Sequence, residues 1–102
     1  MKAYTLRYFR DVSDDKQQRM RERAHIVEGL LRVLDERLEF IELLGSSADR
    51  QTARDALISD WRLSETQATL ALDMPFSRST KQGRDDLAQE LSLLQTKVED
   101  DE

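Results

Sequence analysis

In 102 residues the chain has no cysteine, one histidine, one proline and three glycines. Without cysteine there is no disulfide framework, thiolate metal site or sulfur nucleophile. One imidazole leaves a zinc site without its second histidine ligand. Aromatic residues make up 6% of the chain. No apolar run approaches the about 18 residues of a membrane span, and mean hydropathy is −0.70. The first residues lack the apolar stretch of a secretory signal, so the expected setting is cytoplasmic. Glycine-rich phosphate loops are missing as well. The length suits one small domain, which buries only about two-thirds of its unfolded surface. Association with a second copy would widen that margin.

What is present is charge and helix-forming residues. Charged side chains are 36% of the chain and the net charge is −5, unevenly spread. Residues 1–32 carry eight Lys/Arg against five Asp/Glu, a balance of +3, and the remainder carries −8. An acidic domain repels a phosphate backbone, so autonomous nucleic-acid binding is disfavoured. The cluster Arg19, Arg21 and Arg23 reads first as a solvated helix face.

Apolar periodicity predicts an all-α fold. Met20, Ala24, Val27, Leu31, Leu34, Leu38 and Ile41 are spaced 4, 3, 4, 3, 4, 3, with a second row at Ile26, Leu30, Val33, Phe40 and Leu44. Two rows are wider than a coiled-coil seam and imply more than one neighbour. Read from Asp14 to a left-handed stop at Gly45, this first helix is about 45 Å long, so one end projects from a globule of this size. A second helix is expected over about Asp49 to Trp61, with Ala53, Leu57 and Trp61 on one face. A third starts at a capping box, Ser64 with Gln67, stapled by Leu63 and Ala68, and ends where Pro75 forbids further helix. Residues 75–83 read as a loop, and a fourth helix carries Leu87, Leu91, Leu94 and Val98. The acidic tail 99–102 should fray, because negative charge opposes the helix dipole there.

The first dozen residues differ. Tyr4, Leu6 and Tyr8 alternate with Thr5 and Arg7, a strand-like pattern with no partner strand in the chain. Residues 1–12 are therefore read as a loose N-terminal arm and 13–102 as a single helical domain.

No catalytic constellation assembles. His25, beside the apolar stripe, has no reactive partner at helical spacing and reads as a packing or capping histidine. Nothing local activates Tyr4 or Tyr8 as nucleophiles. The pairs Asp14/Asp15 and Asp85/Asp86 sit near helix starts, where acidic charge suits the dipole without any metal. The chain is expected to be a non-enzyme with no catalytic residue, metal or cofactor.

From Arg21 to Asp35 the sequence, RERAHIVEGLLRVLD, resembles a segment of bacterial DNA gyrase A subunits and of their topoisomerase IV counterparts. The shared residues are Arg21, Arg23, His25, Ile26, Glu28, Gly29, Leu31, Leu34 and Asp35. A second block matches at Ala53, Arg54 and Leu57, then at Leu63, Ser64, Gln67, Ala68, Leu72, Asp73 and Met74. In that family the segment is the primary dimer interface, or C-gate, a small helical globule at the tip of two antiparallel arms. The resemblance implies that the long first helix is one arm plus the globule core, and that Leu87 to Val98 begins the return arm. It also implies no nucleotide, metal or cleaving tyrosine. The chain departs from the family at residues 75–83, keeping Arg78 and Thr80 but losing two leucines, and at the polar stretch Asp11 to Gln18. The loop should therefore be looser and the arms short. The distinct opening from Met1 leads us to expect a free-standing protein that kept only the gate.

Three readings follow. The first is a non-catalytic homodimer module, with Trp61, Leu63, Leu70, Met74 and Phe76 as the dimer interface. The second is a modulator that pairs with the cell's own gyrase, at its A subunit, through the same residues. The third is a small DNA-binding accessory protein using Arg7, Arg10, Arg19, Arg21 and Arg23, its DNA contact weak or indirect.

Overall fold

The computed structural model describes the backbone of residues 2–101 and the side chains of residues 14–98. The fold is all-α. Helix α1 runs Lys2–Asp35, α2 Arg37–Ser46, α3 Arg50–Ser59 and α4 Glu65–Leu72. A single 3-10 turn, Phe76–Ser79, leads into α5, Lys81–Asp101. There is no strand among the described residues. The strand-like reading of Tyr4, Leu6 and Tyr8 is overturned, because α1 is helical from Lys2. A lone strand leaves its backbone N–H and C=O groups unpaired, whereas a helix satisfies them within itself. The side chains of Tyr4, Tyr8, Arg7 and Arg10 lie outside the described ones.

Helices α1 and α5 pack antiparallel. Arg23 in the middle of α1 meets Glu90 far along α5, while Asp35 at the end of α1 meets Arg84 near the start of α5. With 34 residues α1 is about 51 Å long, and it dominates an elongated outline of 61 × 28 × 19 Å. Helix α4 lies across α1, and α3 rests on α4.

Both predicted apolar rows enter the core along α1. Val27, Leu31 and Leu34 come from the first row, Leu30 and Val33 from the second, joined by Leu57, Leu63, Ala68, Ala71 and Leu87. Burying each large aliphatic side chain contributes about 1.5–3 kcal/mol. Two bidentate ion pairs clamp the same seam. Arg23 Nε and Nη2 donate to Glu90 at 2.5 and 3.0 Å, and Arg84 donates twice to Asp35 at 3.0 and 3.2 Å.

The first helix does not reach Gly45 in one piece. At Glu36 the backbone leaves helical geometry, with φ −116° and ψ 41°. Its N–H is shared between the Arg32 and Val33 carbonyls, each at 3.2 Å. The bend turns the first row outward, leaving Leu38 79% and Ile41 48% exposed, while Phe40 of the second row stays buried. Long-range contacts hold the new direction. Phe40 meets Trp61 edge-on with centroids 6.2 Å apart. Arg37 donates to the Leu34 carbonyl at 2.8 Å and to the Ser79 carbonyl at 2.5 Å. Nor is Gly45 the left-handed stop: no glycine has positive φ, and α2 passes through it to Ser46. The end is closed by Ser47, whose N–H and hydroxyl both donate to the Leu43 carbonyl, at 3.0 and 2.7 Å.

The remaining boundaries follow local chemistry. Asp49 caps α3 by accepting from the Thr52 N–H at 2.8 Å. The Thr52 donors hold its carboxyl below the usual range, the backbone bond contributing most. Ser64 and Gln67 form the complete reciprocal capping box of α4. Residues 75–83 are not a plain loop. Thr80 caps α5, its hydroxyl accepting from the Gly83 N–H at 3.0 Å, so helix begins at Lys81.

Candidate self-association face

One face of the molecule carries an open apolar groove of about 140 Å³. Val33, Leu34 and Ala71 make its floor, Phe40, Ile41 and Leu44 of α2 one wall, and Leu72, Met74, Pro75 and Phe76 the other. Polar lining comes from Arg37 and Ser79, tied to each other by the Arg37–Ser79 carbonyl bond. The groove exists because α2 bends away at Glu36 while Pro75 ends α4 and starts the 3-10 turn on the opposite side. Phe76 stands on the rim, 80% exposed. Leu38, Ile41, Glu42 and Gly45 share the outward face of α2 by helical spacing and are all exposed. A face of this kind can bind apolar side chains.

The structure brings together two of the five residues expected at an interface. Met74 and Phe76 both line the groove. Leu63 is in the core, its N–H donating to the Leu57 carbonyl at 3.0 Å. Trp61 is half-buried against Phe40, with the Arg32 guanidinium 5.8 Å from its ring centre. Arg32 also donates to the Trp61 carbonyl. Leu70 is half-buried and lines a separate shallow depression with Arg54, Glu65, Thr66 and Thr69. The sequence pattern places Leu38, Ile41 and Leu44 in the two apolar rows and not among the interface residues. Their spacing matches the buried stripe, and nothing in the local sequence marks the bend that turns two of them outward.

His25 is a capping histidine with a definite task. Its Nε2 lies 2.8 Å from the Ser64 hydroxyl. Gln67 Nε2 donates to the His25 carbonyl at 2.6 Å, while Gln67 Oε1 accepts from the Ser64 N–H at 2.9 Å. His25, Ser64 and Gln67 thus fasten the start of α4 to the middle of α1. Of the basic cluster, Arg21 donates to Gln17 at 3.0 Å and Arg23 is held by Glu90. The Asp14/Asp15 and Asp85/Asp86 side chains are exposed. Among the described residues no group of three or more His, Asp or Glu is placed to hold a metal ion, and no described helix is long and apolar enough to cross a membrane.

No family model matches the chain. Individual relatives do. It is 43% identical over 81 residues to the DNA gyrase A subunit of Campylobacter jejuni, covering 79% of this chain and 9% of that protein. Against the DNA gyrase A subunit of Aminobacterium colombiense it is 43% identical over 77 residues, 76% of this chain and 9% of the relative. The Deinococcus deserti protein of the same name is 41% identical over 78 residues, 76% of this chain and 10% of the relative. The chain therefore spans about a tenth of the length of the curated relatives it matches. With two fifths of its matched residues identical to theirs, this chain is a homologue of one segment of the DNA gyrase A subunit.

Proposed function

We propose that this chain is a non-catalytic homodimerisation module, similar to the exit gate, or C-gate, of the gyrase A subunit. The observation that carries the reading is the exposure of Ile41 and Phe76 on an apolar groove, with the exposed Leu38 one helical turn from Ile41 on α2. Large apolar side chains grouped on one face of a small domain mark an association surface. A twofold pairing of identical faces is the commonest way to cover one. The antiparallel α1–α5 pair supports the gate comparison, since it supplies two arms leading from a helical globule. The face acts by burial alone, in a cytoplasmic setting and without a cofactor.

Equilibrium sedimentation over about 1–100 µM tests this reading, with a dimer expected in the upper part of that range and a twofold interface above about 1,000 Å². A folded monomer throughout would overturn it. A second partner is favoured by the sequence similarity itself: the cell's own gyrase, engaged at its A subunit through the same groove in place of the second copy. Capture of gyrase by the tagged chain, competed by untagged chain, tests this version; self-association without capture would exclude it. A role on DNA receives less support, because Arg23 is committed to Glu90 and the net charge is −5.

A further inference from the structure

The one histidine of the chain sits in a hydrogen-bond circuit whose roles are fixed by backbone groups. Gln67 Oε1 faces the Ser64 N–H at 2.9 Å, and a backbone N–H can only donate. Gln67 Nε2 faces the His25 carbonyl at 2.6 Å, and a carbonyl can only accept. The carboxamide therefore has one orientation, since turning it over would set oxygen against oxygen. Its Nε2 also faces His25 Nδ1 at 3.5 Å, which makes Nδ1 an acceptor. The hydrogen of the neutral ring is then on Nε2 and donates to the Ser64 hydroxyl at 2.8 Å. Ser64 Oγ accepts from the Gln67 N–H as well, at 3.1 Å, so both of its acceptor positions are filled.

A proton added to Nδ1 finds no acceptor in this circuit. It meets the Nε2 hydrogens of Gln67, donor against donor, and turning the ring away breaks the bond to Ser64. We propose that His25 is a pH-sensitive clasp between α1 and α4, fastening the start of α4 when neutral and releasing it when protonated. Ala71 and Leu72 of α4 line the groove, so the clasp bears on how firmly that side is held. The inference does not depend on what the groove binds.

The charged groups around the ring leave that outcome in place. Arg21, Glu22 and Glu28 of α1 line the shallow depressions beside it and are all exposed. From α4 comes Thr66, while Glu65 lines a separate depression with Arg54. Helix α5 contributes Gln95 and Val98, neither of them charged. Arg62 stands two residues ahead of Ser64 in the connection from α3. Glu22 and Glu28 favour an imidazolium, whereas Arg21 and the positive end of the α4 dipole oppose it. Exposed charges act weakly through water, so the hydrogen-bond circuit sets the sign.

The test unfolds the full chain with denaturant at about pH 7.5 and about pH 5.5, a window above the ordinary carboxyl range. The chain has no second imidazole to titrate there. On the acid side the parent's unfolding equilibrium constant should rise about 3–10-fold, the weight of one ordinary hydrogen bond. His25→Gln should begin less stable than the parent and hold its constant within about twofold across the window. Amide exchange, corrected for its intrinsic pH dependence, locates the change. The Gln67 and Ala68 N–H groups, which close the first turn of α4 on Ser64, should lose protection in acid while the middle of α5 keeps it. An equal pH response in parent and variant overturns the clasp, as does α4 protection that stays constant or falls in step with α5. Should His25→Gln fail to fold, the exchange measured on the parent decides alone.

Discussion

The backbone of Gly29 and the side chain of Gln67 approach so closely that a β-carbon on residue 29 would lie 2.6 Å from Gln67 Cγ. Gln67 has no easy retreat, since its carboxamide is bonded both to the Ser64 N–H and to the His25 carbonyl. Gly29→Ala should therefore destabilise the fold by about 1–3 kcal/mol, overpacking outweighing the better helix propensity of alanine. Chemical denaturation would show a lower midpoint with an unchanged slope. A midpoint equal to the parent's would mean that the α1–α4 contact is looser than described.

Gly83 presents a harder obstacle of the same kind. A β-carbon there would fall 2.6 Å from the Ser77 carbonyl oxygen and 2.6 Å from Arg78 Cα, both backbone atoms. Backbone cannot swing aside as a side chain can, so Gly83→Ala should reach or exceed the upper end of the same ~1–3 kcal/mol range. It should also loosen the 3-10 turn that carries Phe76.

His25 and Ser64 should behave as a coupled pair. Removing the Ser64 hydroxyl takes away the cap of α4 and the partner of the His25 ring, at a cost of about 1 kcal/mol. His25→Ala and Ser64→Ala should then be non-additive, the double variant losing less than the sum of the single ones. Strict additivity would show that the 2.8 Å contact contributes nothing.

Acid should loosen the α1–α5 seam. The Arg23 hydrogen bond, more than the direct charge attraction, holds the Glu90 carboxyl below its usual range. Arg84 does the same for Asp35, again mainly through its hydrogen bonds. A carboxylate with a lowered folded pKa stabilises fully above its unfolded pKa, near 4, and loses that contribution as pH falls through the folded value. Arg23 and Glu90 are each more than a third open to solvent, so the pair should contribute less than about 1 kcal/mol. Glu90→Gln should lower the melting temperature slightly at pH 7, with the gap to the parent closing below about pH 4. A gap that persists unchanged into acid would assign the effect to packing instead.

Arg62 is the one described non-glycine residue with positive φ, at 59°. That left-handed turn lets the Leu63 N–H reach the Leu57 carbonyl as the chain reverses after α3. An L-residue there carries about 1–2 kcal/mol of strain, and its relief in a glycine variant is partly offset by the freer unfolded chain. Arg62→Gly or Arg62→Asn should consequently raise stability by about 0.5–1 kcal/mol. Thermal melting checks the sign, and a lower melting temperature would show that the Arg62 side chain makes a stabilising contact.

What the sequence alone determined is what hydrogen bonding within about four residues decides. Ser64 and Gln67 cap α4, Asp49 caps α3 and Pro75 ends the helical run whatever surrounds them, because both partners of each interaction lie in one short window. The apolar spacing from Val27 to Leu34 likewise placed α1 in a core, since a 3.6-residue period puts those side chains on one face. Tertiary structure decided which continuation of that face meets a neighbour. Leu38 and Leu34 occupy equivalent places in the same row, yet Leu34 is buried and Leu38 is exposed, because Phe40 on Trp61 and Arg37 on Ser79 redirect α2 after Glu36. Those partners are 21 and 42 residues distant along the chain, beyond the reach of any local pattern. The groove, with Phe76 on its rim, exists only once those distant contacts are made.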